Sequence, residues 1–250
     1  MIKLKSQEEI AVMKEGGKRL KAVVEKLIPQ IHEEITTDEI DKAAEKLIIE
    51  NGGEPSFKRV PGYQWTICCP INEQVVHTPP SERVLKAGDI FTLDIGMFYK
   101  GFHTDFATTW IVGSPEKSEH LKFLEVGKNA LSRALAQVKK GHFLGEVSQV
   151  IEHEVKRHGF FILKNLTGHG IGRDLHEEPS IPGYLDRRME KTPKIQSGFV
   201  VAVEVIYSMG TEEIAYEKDN SWSIKTKDSS LSACFEDTVA ITDSNSIILT

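Results

Sequence analysis

The sequence has few cysteines. Among 250 residues there are three, of which Cys68 and Cys69 are adjacent and Cys234 stands alone. Three cysteines cannot form a disulfide scaffold, and without a C-x-x-C pair they do not suggest a thiolate zinc site. They are typical of reduced thiols, so we expect a cytoplasmic protein.

The sequence also lacks long apolar runs and any surplus of positive charge. No stretch of about 18 apolar residues occurs, and the N-terminus has no apolar core of a secretory signal. The charge is −6, from 31 basic and 37 acidic side chains, which argues against a dedicated nucleic-acid binder. We therefore expect neither a membrane nor a specific nucleic acid as partner.

What is present is typical of a globular protein, because 40 % of the residues are hydrophobic. Capping-box patterns at Ser6 and Thr36 predict two helices, the first ending before Pro29 and the second at Gly52. Strand-like segments follow, and the order then repeats: two helices, over 119–138 and 144–158, and further strands. Strands and helices segregate rather than alternate, which favours an α+β fold made of two similar halves. No residue-level repeat accompanies this order.

Two aspartates flank a short turn near Tyr99-Lys100-Gly101. A hairpin centred between Tyr99 and Lys100 would place Asp94 directly opposite Asp105. Like charges directly opposite each other destabilise a sheet, so a divalent cation between them is the natural compensation. The alternative is a different register, with one aspartate in solvent.

A glycine-rich segment, 168–179, contains His169 and His176. Its glycines allow close approach of the backbone to a ligand. It lacks both the P-loop ending and the Gly-x-Gly-x-x-Gly spacing, which argues against nucleotide binding.

Two glutamates interrupt apolar strand-like runs. Glu204 lies within 199–207 and Glu236 immediately precedes another such run. A carboxylate in a buried strand must be paired, protonated or metal-bound, although Glu236 could equally face the polar side of a half-exposed strand. With Asp94 and Asp105 there are four carboxylates, enough to balance two divalent ions. Oxygen-rich ligation with one imidazole favours manganese, iron or cobalt, with zinc as an alternative.

Taken in order and spacing, these motifs closely resemble the type I methionine aminopeptidases, nearly end to end. The stretches that carry the resemblance are 72–77, 89–94, 101–105, 168–179, 221–227 and 232–242. It implies a pita-bread fold: two pseudo-symmetric halves with a central antiparallel sheet, helices outside and a dinuclear metal site between the halves. It also implies that residues 1–250 form a single catalytic domain.

The resemblance assigns roles residue by residue. It implies five metal ligands, namely Asp94, Asp105, His169, Glu204 and Glu236. It makes His77 and His176 contact the substrate and take part in catalysis, and it makes Glu204 the proton shuttle as well. The implied methionine pocket consists of Phe57, Tyr63, Cys68, Leu175 and Trp222.

The implied activity is removal of the initiator methionine from nascent polypeptides with a small second residue. The implied enzyme is monomeric and associates weakly with the ribosome. Four departures from the family pattern are Thr78, Leu175, Val205 and Asp237. The Glu-Asp-x-Val pattern that contains Asp237 is closer to the Xaa-Pro aminopeptidases, so a shifted specificity of that kind, motivated by Asp237 and Val205, is one alternative. A binding protein that has lost catalysis on the same fold is another.

Overall fold

The structure is a computed structural model that describes residues 2–114, 117–218 and 220–250. In these ranges it contains four α-helices: α1 (Gln7–Leu27), α2 (Thr37–Glu50), α3 (Ser118–Leu135) and α4 (Leu144–Lys156). The strands of the first half are β1 (Glu54–Pro55), β2 (Ile67–Cys68), β3 (Gln74–Val76), β4 (Ile90–Tyr99) and β5 (Phe102–Ile111). Those of the second are β6 (Phe161–Ile162), β7 (Thr167–Gly170), β8 (Glu177–Pro182), β9 (Val200–Ser208), β10 (Ile214–Glu217), β11 (Asn220–Thr226), β12 (Ser232–Ile241) and β13 (Ser246–Ile248).

The helices begin where the sequence predicts. The side chains of Ser6 and Thr36 each accept a hydrogen bond from the backbone N–H three residues on. The side chains of Glu9 and Glu39 in turn accept a hydrogen bond from the backbone N–H of Ser6 and Thr36. These reciprocal bonds satisfy N–H groups that a helix start leaves unpaired. The predicted capping boxes are therefore confirmed.

One antiparallel sheet runs through both halves of the chain. Its strand order is β1-β4-β5-β12-β9-β7-β8, with β2, β6 and β13 paired at the side of this path. The halves meet where β5 pairs with β12, and a separate sheet has the order β10-β11-β3. The prediction of an α+β fold with a central antiparallel sheet is confirmed.

The helices cover one face of the central sheet and leave the other face for the site. Successive side chains of a strand point to opposite faces. In β4, Leu93 and Ile95 pack into the core beneath α1 and α2, and in β9, Val203 and Val205 pack into the core beneath α3 and α4. Consequently Asp94 and Glu204, each lying between two such residues, point to the opposite face.

No helix in the described ranges is long and apolar enough to cross a membrane. All three cysteines are free and buried, as expected for reduced thiols.

Candidate metal centre and substrate pocket

The two aspartates of the first half are not directly opposite each other, contrary to the sequence prediction. Asp94 pairs with Ala107, and Asp105 pairs with Gly96. The turn is centred on Lys100 and Gly101, both at positive φ (48° and 91°), as a tight two-residue hairpin requires. This centre lies one residue later than predicted and shifts the register by two. Because side chains alternate with period two, the aspartates still share a face.

The two glutamates of the second half do lie directly opposite each other. Glu204 on β9 pairs with Glu236 on β12, and Glu236 also pairs with Ala107 on β5. Together with the pairing of Ala107 to Asp94, this makes one row across four strands, Asp94-Ala107-Glu236-Glu204. The small side chain of Ala107 leaves room between the carboxylates.

His169 completes the cluster from the neighbouring row. It lies on β7 opposite Ala202, and its Nε2 is 3.5 Å from Oε1 of Glu204. Its Nδ1 is 2.9 Å from the carbonyl oxygen of Gly170, which can only accept a hydrogen bond. Nδ1 therefore carries the proton, and Nε2 presents its lone pair to the cluster.

The carboxylates crowd into a buried space. One ligand atom each from Asp105, His169 and Glu236 fall within 4.8 Å of one another. Burial raises the pKa of Asp105 to about 7. It also raises the pKa of Asp94, Glu204 and Glu236 well above the ordinary range, and repulsion between the carboxylates adds to the effect. Burial lowers the pKa of His169 to about 3, which keeps the imidazole neutral.

These residues fit a divalent cation. Oε1 of Glu236 is buried and finds no hydrogen-bond partner among the described residues. A buried, unpartnered carboxylate oxygen costs free energy unless a cation or proton compensates it. Oxygen donors with one neutral imidazole are the donor set that manganese, iron or cobalt accepts.

A cavity of about 580 Å³ opens next to the carboxylates. Its apolar end contains all five residues that the resemblance assigned to the methionine pocket: Phe57, Tyr63, Cys68, Leu175 and Trp222. Tyr63 lies at the centre of this end, with its ring edge-on to Phe57 (6.3 Å between centroids) and to Trp222 (5.2 Å). Its hydroxyl donates to the carbonyl of Ile67 at 2.8 Å, so the ring is fixed in position.

His77 and His176 stand at the exposed rim of the same cavity. His77 follows β3 and has a positive φ of 57°, a conformation that costs energy for a non-glycine residue and often marks a functional site. The ring of His176 lies 4.5 Å from the ring of His169. The structure thus brings all twelve predicted site residues to one cavity.

Sequence reasoning missed several residues that also line the cavity, among them Val60, Val76, Leu166, Ser180 and Ile206. Ile206 lies two residues after Glu204 on β9, and strand periodicity could have placed it on the same face. Leu166 immediately precedes β7, and Ser180 lies within β8. Glycine and proline in those strands hide them from pattern reasoning.

Comparison with known proteins agrees with this geometry. Residues 11–243 match the model of metallopeptidase family M24. The chain is 38 % identical to methionine aminopeptidase 1 of Bacillus subtilis over 250 residues, covering 100 % of this chain and 99 % of the relative.

Solved structures give the fold. The methionine aminopeptidase of Thermotoga maritima superposes with a TM-score of 0.95 at 33 % identity, covering 100 % of this chain and 99 % of that one. A prolidase of Pyrococcus furiosus has a TM-score of 0.79 at 23 % identity, covering 99 % of this chain and 65 % of its own; this likeness is one of fold alone. The predicted pita-bread fold is confirmed, and the chain belongs to metallopeptidase family M24.

Proposed function

We propose that this chain removes the N-terminal methionine from polypeptides by metal-dependent hydrolysis. The observation that carries the proposal is the joining of two features in one cavity: a cluster of four carboxylates, two buried and two half-buried, with one neutral histidine, and an apolar end that contains Phe57, Tyr63 and Trp222. Full-length relatives named methionine aminopeptidase support it. The second residue of the substrate is small, and the substrates are the N-termini of nascent chains.

We further propose that Asp94, Asp105, His169, Glu204 and Glu236 hold two divalent ions, of cobalt, manganese or iron, with zinc as an alternative. Four carboxylates balance the charge of two such ions. The ions would lower the pKa of a water from 15.7 to about 7 and offset negative charge developing on the attacked carbonyl oxygen.

The chain's own side chains divide the remaining work. Phe57, Tyr63 and Trp222 bind the thioether side chain and exclude water from it. Glu204, whose Oε1 lies against His169, takes the proton from the attacking water and returns it to the leaving amine. His176 and His77, at the rim, donate hydrogen bonds to the peptide group being cleaved.

The test is release of methionine from Met-Ala-Ser by the purified protein loaded with manganese, cobalt or iron. Failure to cleave this peptide with every one of these metals would contradict the proposal. Metal analysis of the protein expressed without added metal identifies the ions that it selects and their number.

The Xaa-Pro alternative is not favoured. Val205 and Asp237 motivated it, but both point away from the site face, because they alternate with Glu204 and Glu236 along their strands. Parallel assays with an Ala-Pro peptide separate the two specificities. The alternative of a non-enzymatic binder requires loss of the site chemistry, whereas all five proposed ligands are present. The cytoplasmic location, the monomeric state and the weak ribosome association stay predictions.

A further inference from the structure

One loop contributes side chains to two regions of the cavity, its apolar end and its rim. Residues 171–176 connect β7 to β8 and include Leu175, which belongs to the apolar end, and His176, which stands at the rim. The first part of the loop is fixed by backbone bonds, because Ile171 donates to Val200 and His103 donates to the carbonyl of Gly172 at 2.7 Å. The second part, which bears Leu175 and His176, has one backbone bond, from the N–H of Gly172 to the carbonyl of Asp174 (3.1 Å), and otherwise depends on side chains.

The buried side chain of Glu177 holds this second part of the loop by hydrogen bonds. Its Oε1 accepts hydrogen bonds from the backbone N–H groups of Arg173 (2.8 Å) and Asp174 (3.2 Å). Its side chain is only 1 % exposed. The carboxylate therefore fixes the turn at Arg173 and Asp174, which immediately precedes Leu175 and His176.

The other oxygen of Glu177 is held by Lys5, which is remote in sequence. Lys5 Nζ donates to Glu177 Oε2 at 2.6 Å and to the carbonyl of Lys3 at 3.0 Å. The Lys5 side chain is 4 % exposed, and its backbone N–H donates to Gly198 at 2.8 Å. Breaking a buried ion pair by removing one partner leaves an uncompensated charge, which forces the surroundings to rearrange.

The loop also packs directly on the Lys5 side chain. A Cβ at Gly172 would lie 2.2 Å from Cε of Lys5, so only glycine permits this contact. Two exposed pairs join the same segments at the surface: Lys3 with Asp174 and Glu9 with Arg173, each at 2.6 Å. Exposed pairs of this kind contribute little. The loop also packs through Leu175 in an apolar cluster and through Arg173 over the Phe102 ring, and the buried pair is its main ionic contact.

We propose that Lys5 is a positioning residue for the substrate: through Glu177 it holds Leu175 and His176 at the cavity. This inference rests on the proposed function, because only that function makes Leu175 and His176 contact a substrate. Lys5 itself lies on the far side of Glu177 from the cavity and does not line it.

The experiment is a double-mutant cycle between Lys5→Met and His176→Ala, with kcat and KM measured on Met-Ala-Ser in the metal-loaded enzyme. We expect Lys5→Met to lower kcat/KM by about 10- to 100-fold, because a small displacement of a catalytic group has an effect of this size. In the His176→Ala background the same substitution should change kcat less than threefold, since its effect on kcat passes through His176. The metal content should stay at the wild-type value.

Lys3→Met is the matched control, because it removes an exposed pair from the same segment; its kcat/KM should stay within about twofold of wild type. Multiplicative effects of Lys5→Met and His176→Ala on kcat, or an unchanged kcat/KM in Lys5→Met, would overturn the inference. If Lys5→Met does not fold, Lys5→Gln, which retains a hydrogen-bond donor without the charge, takes its place in the cycle.

Hydrogen exchange provides a readout that needs no substrate. The amides of Arg173 and Asp174, which donate to Glu177, should exchange faster in Lys5→Met than in wild type, whereas peptides from α3 should be unchanged. Equal protection of these two amides would overturn the inference. A wild-type protein that fails to cleave Met-Ala-Ser would contradict the proposed function alone, and the exchange measurement would still decide the role of Lys5.

Discussion

The two halves of the sheet place their carboxylates differently. Asp94 lies opposite Ala107 in the first half, and Glu204 lies opposite Glu236 in the second. The strand pair β4–β5 is thus equivalent to β9–β12, with Asp94 corresponding to Glu204 and Ala107 to Glu236. The second carboxylate of the first half, Asp105, is two residues removed from the position that Glu236 occupies in the second.

The equivalence extends along the pairing of β5 with β12, which is the seam between the halves. Thr109 on β5 exchanges hydrogen bonds with the backbone of Cys234, and Thr238 on β12 does the same with the backbone of Asp105. Thr109 therefore corresponds to Thr238, and Asp105 to Cys234. The backbone arrangement is duplicated, whereas the chemistry is not, because one half has a thiol, Cys234, where the other has a carboxylate, Asp105.

The largest expected effect comes from the equivalent pair Glu204 and Asp94. Glu204→Gln should lower kcat/KM on Met-Ala-Ser by about 10³-fold, because it removes the proposed proton carrier and one of the proposed metal ligands. Asp94→Asn should lose activity through loss of bound metal, and added metal should restore part of its activity. Steady-state kinetics at increasing metal concentration measure both.

The exposed Glu213, whose one salt bridge among the described residues is with Lys227 at the surface, provides a control. Glu213→Gln should keep its activity within twofold. Full turnover in Glu204→Gln, or equal restoration of both site variants by added metal, would contradict the different roles.

A second effect concerns the stability of the metal-free protein. Burial raises the pKa of Asp105 to about 7, so the folded state binds a proton more tightly than the unfolded state does. Its contribution to stability is then lost as the pH rises through about 7 and regained on acidification. Asp105 alone contributes about 1.4 kcal/mol between about pH 8 and pH 6, and the other three carboxylates act in the same direction.

Calorimetry in EDTA should therefore show Tm rising by roughly 3–6 °C or more between about pH 8 and pH 6. Asp105→Asn should reduce this rise, and bound manganese should remove it, because the cation holds the carboxylates ionised. A metal-free Tm that falls on acidification over this range would contradict the assignment of raised pKa values.

The sequence predicts the part of the site that lies on long strands better than the part that lies on loops. Glu204 is conspicuous because apolar residues surround it in β9. The register of Asp94 and Asp105 could not be fixed, because the turn can be centred at Tyr99-Lys100 or at Lys100-Gly101. Only the positive φ at both central positions selects the latter. The aspartates share a face in either register, so the predicted metal site does not depend on the error.

The rim is harder to predict, because tertiary contacts determine it. The positive φ of His77 has no glycine to signal it. The β10–β11 hairpin, inserted between β9 and β12, carries Trp222 and pairs with β3 just before His77. The first half has a two-residue turn in the equivalent place, so no pattern within it indicates this insertion.

A third effect tests why the halves differ at Gly96. Its equivalent in the second half is Ile206, yet a Cβ at Gly96 would lie 2.6 Å from Cβ of Ser56 and 3.0 Å from the ring of Phe57. Gly96→Ala should displace the Phe57 ring toward the proposed methionine pocket and raise KM for Met-Ala-Ser by about tenfold. A change of one methylene in an apolar pocket is worth about 1–3 kcal/mol.

The metal content of Gly96→Ala should not change, because the residues that a Cβ at Gly96 would displace, Ser56 and Phe57, are not among the five proposed ligands. Gly16→Ala is the matched control: it also contacts β4, but its nearest neighbour, Cβ of Tyr99, is 3.2 Å away. An unchanged KM in Gly96→Ala would show that the pocket does not require this close approach.

The smallest effect tests the equivalence of the two seam threonines. Thr238→Val and Thr109→Val keep the side-chain shape but leave a backbone N–H and C=O without their hydroxyl partner. Each should cost about 1–3 kcal/mol and lower Tm by roughly 2–10 °C, with kcat/KM within threefold of wild type. Both hydroxyls bond the backbone at equivalent positions, but Thr109 Oγ1 also bonds Thr92 Oγ1 at 2.9 Å, a third bond that Thr238 lacks among the described residues. The loss in Thr109→Val should therefore be the larger by about 0.5–1.5 kcal/mol, and the two losses should add in the double variant. If Thr238→Val instead reduced activity strongly while Thr109→Val did not, the bond to Asp105 would be orienting a metal ligand. The seam would then serve the site in one half and only the sheet in the other.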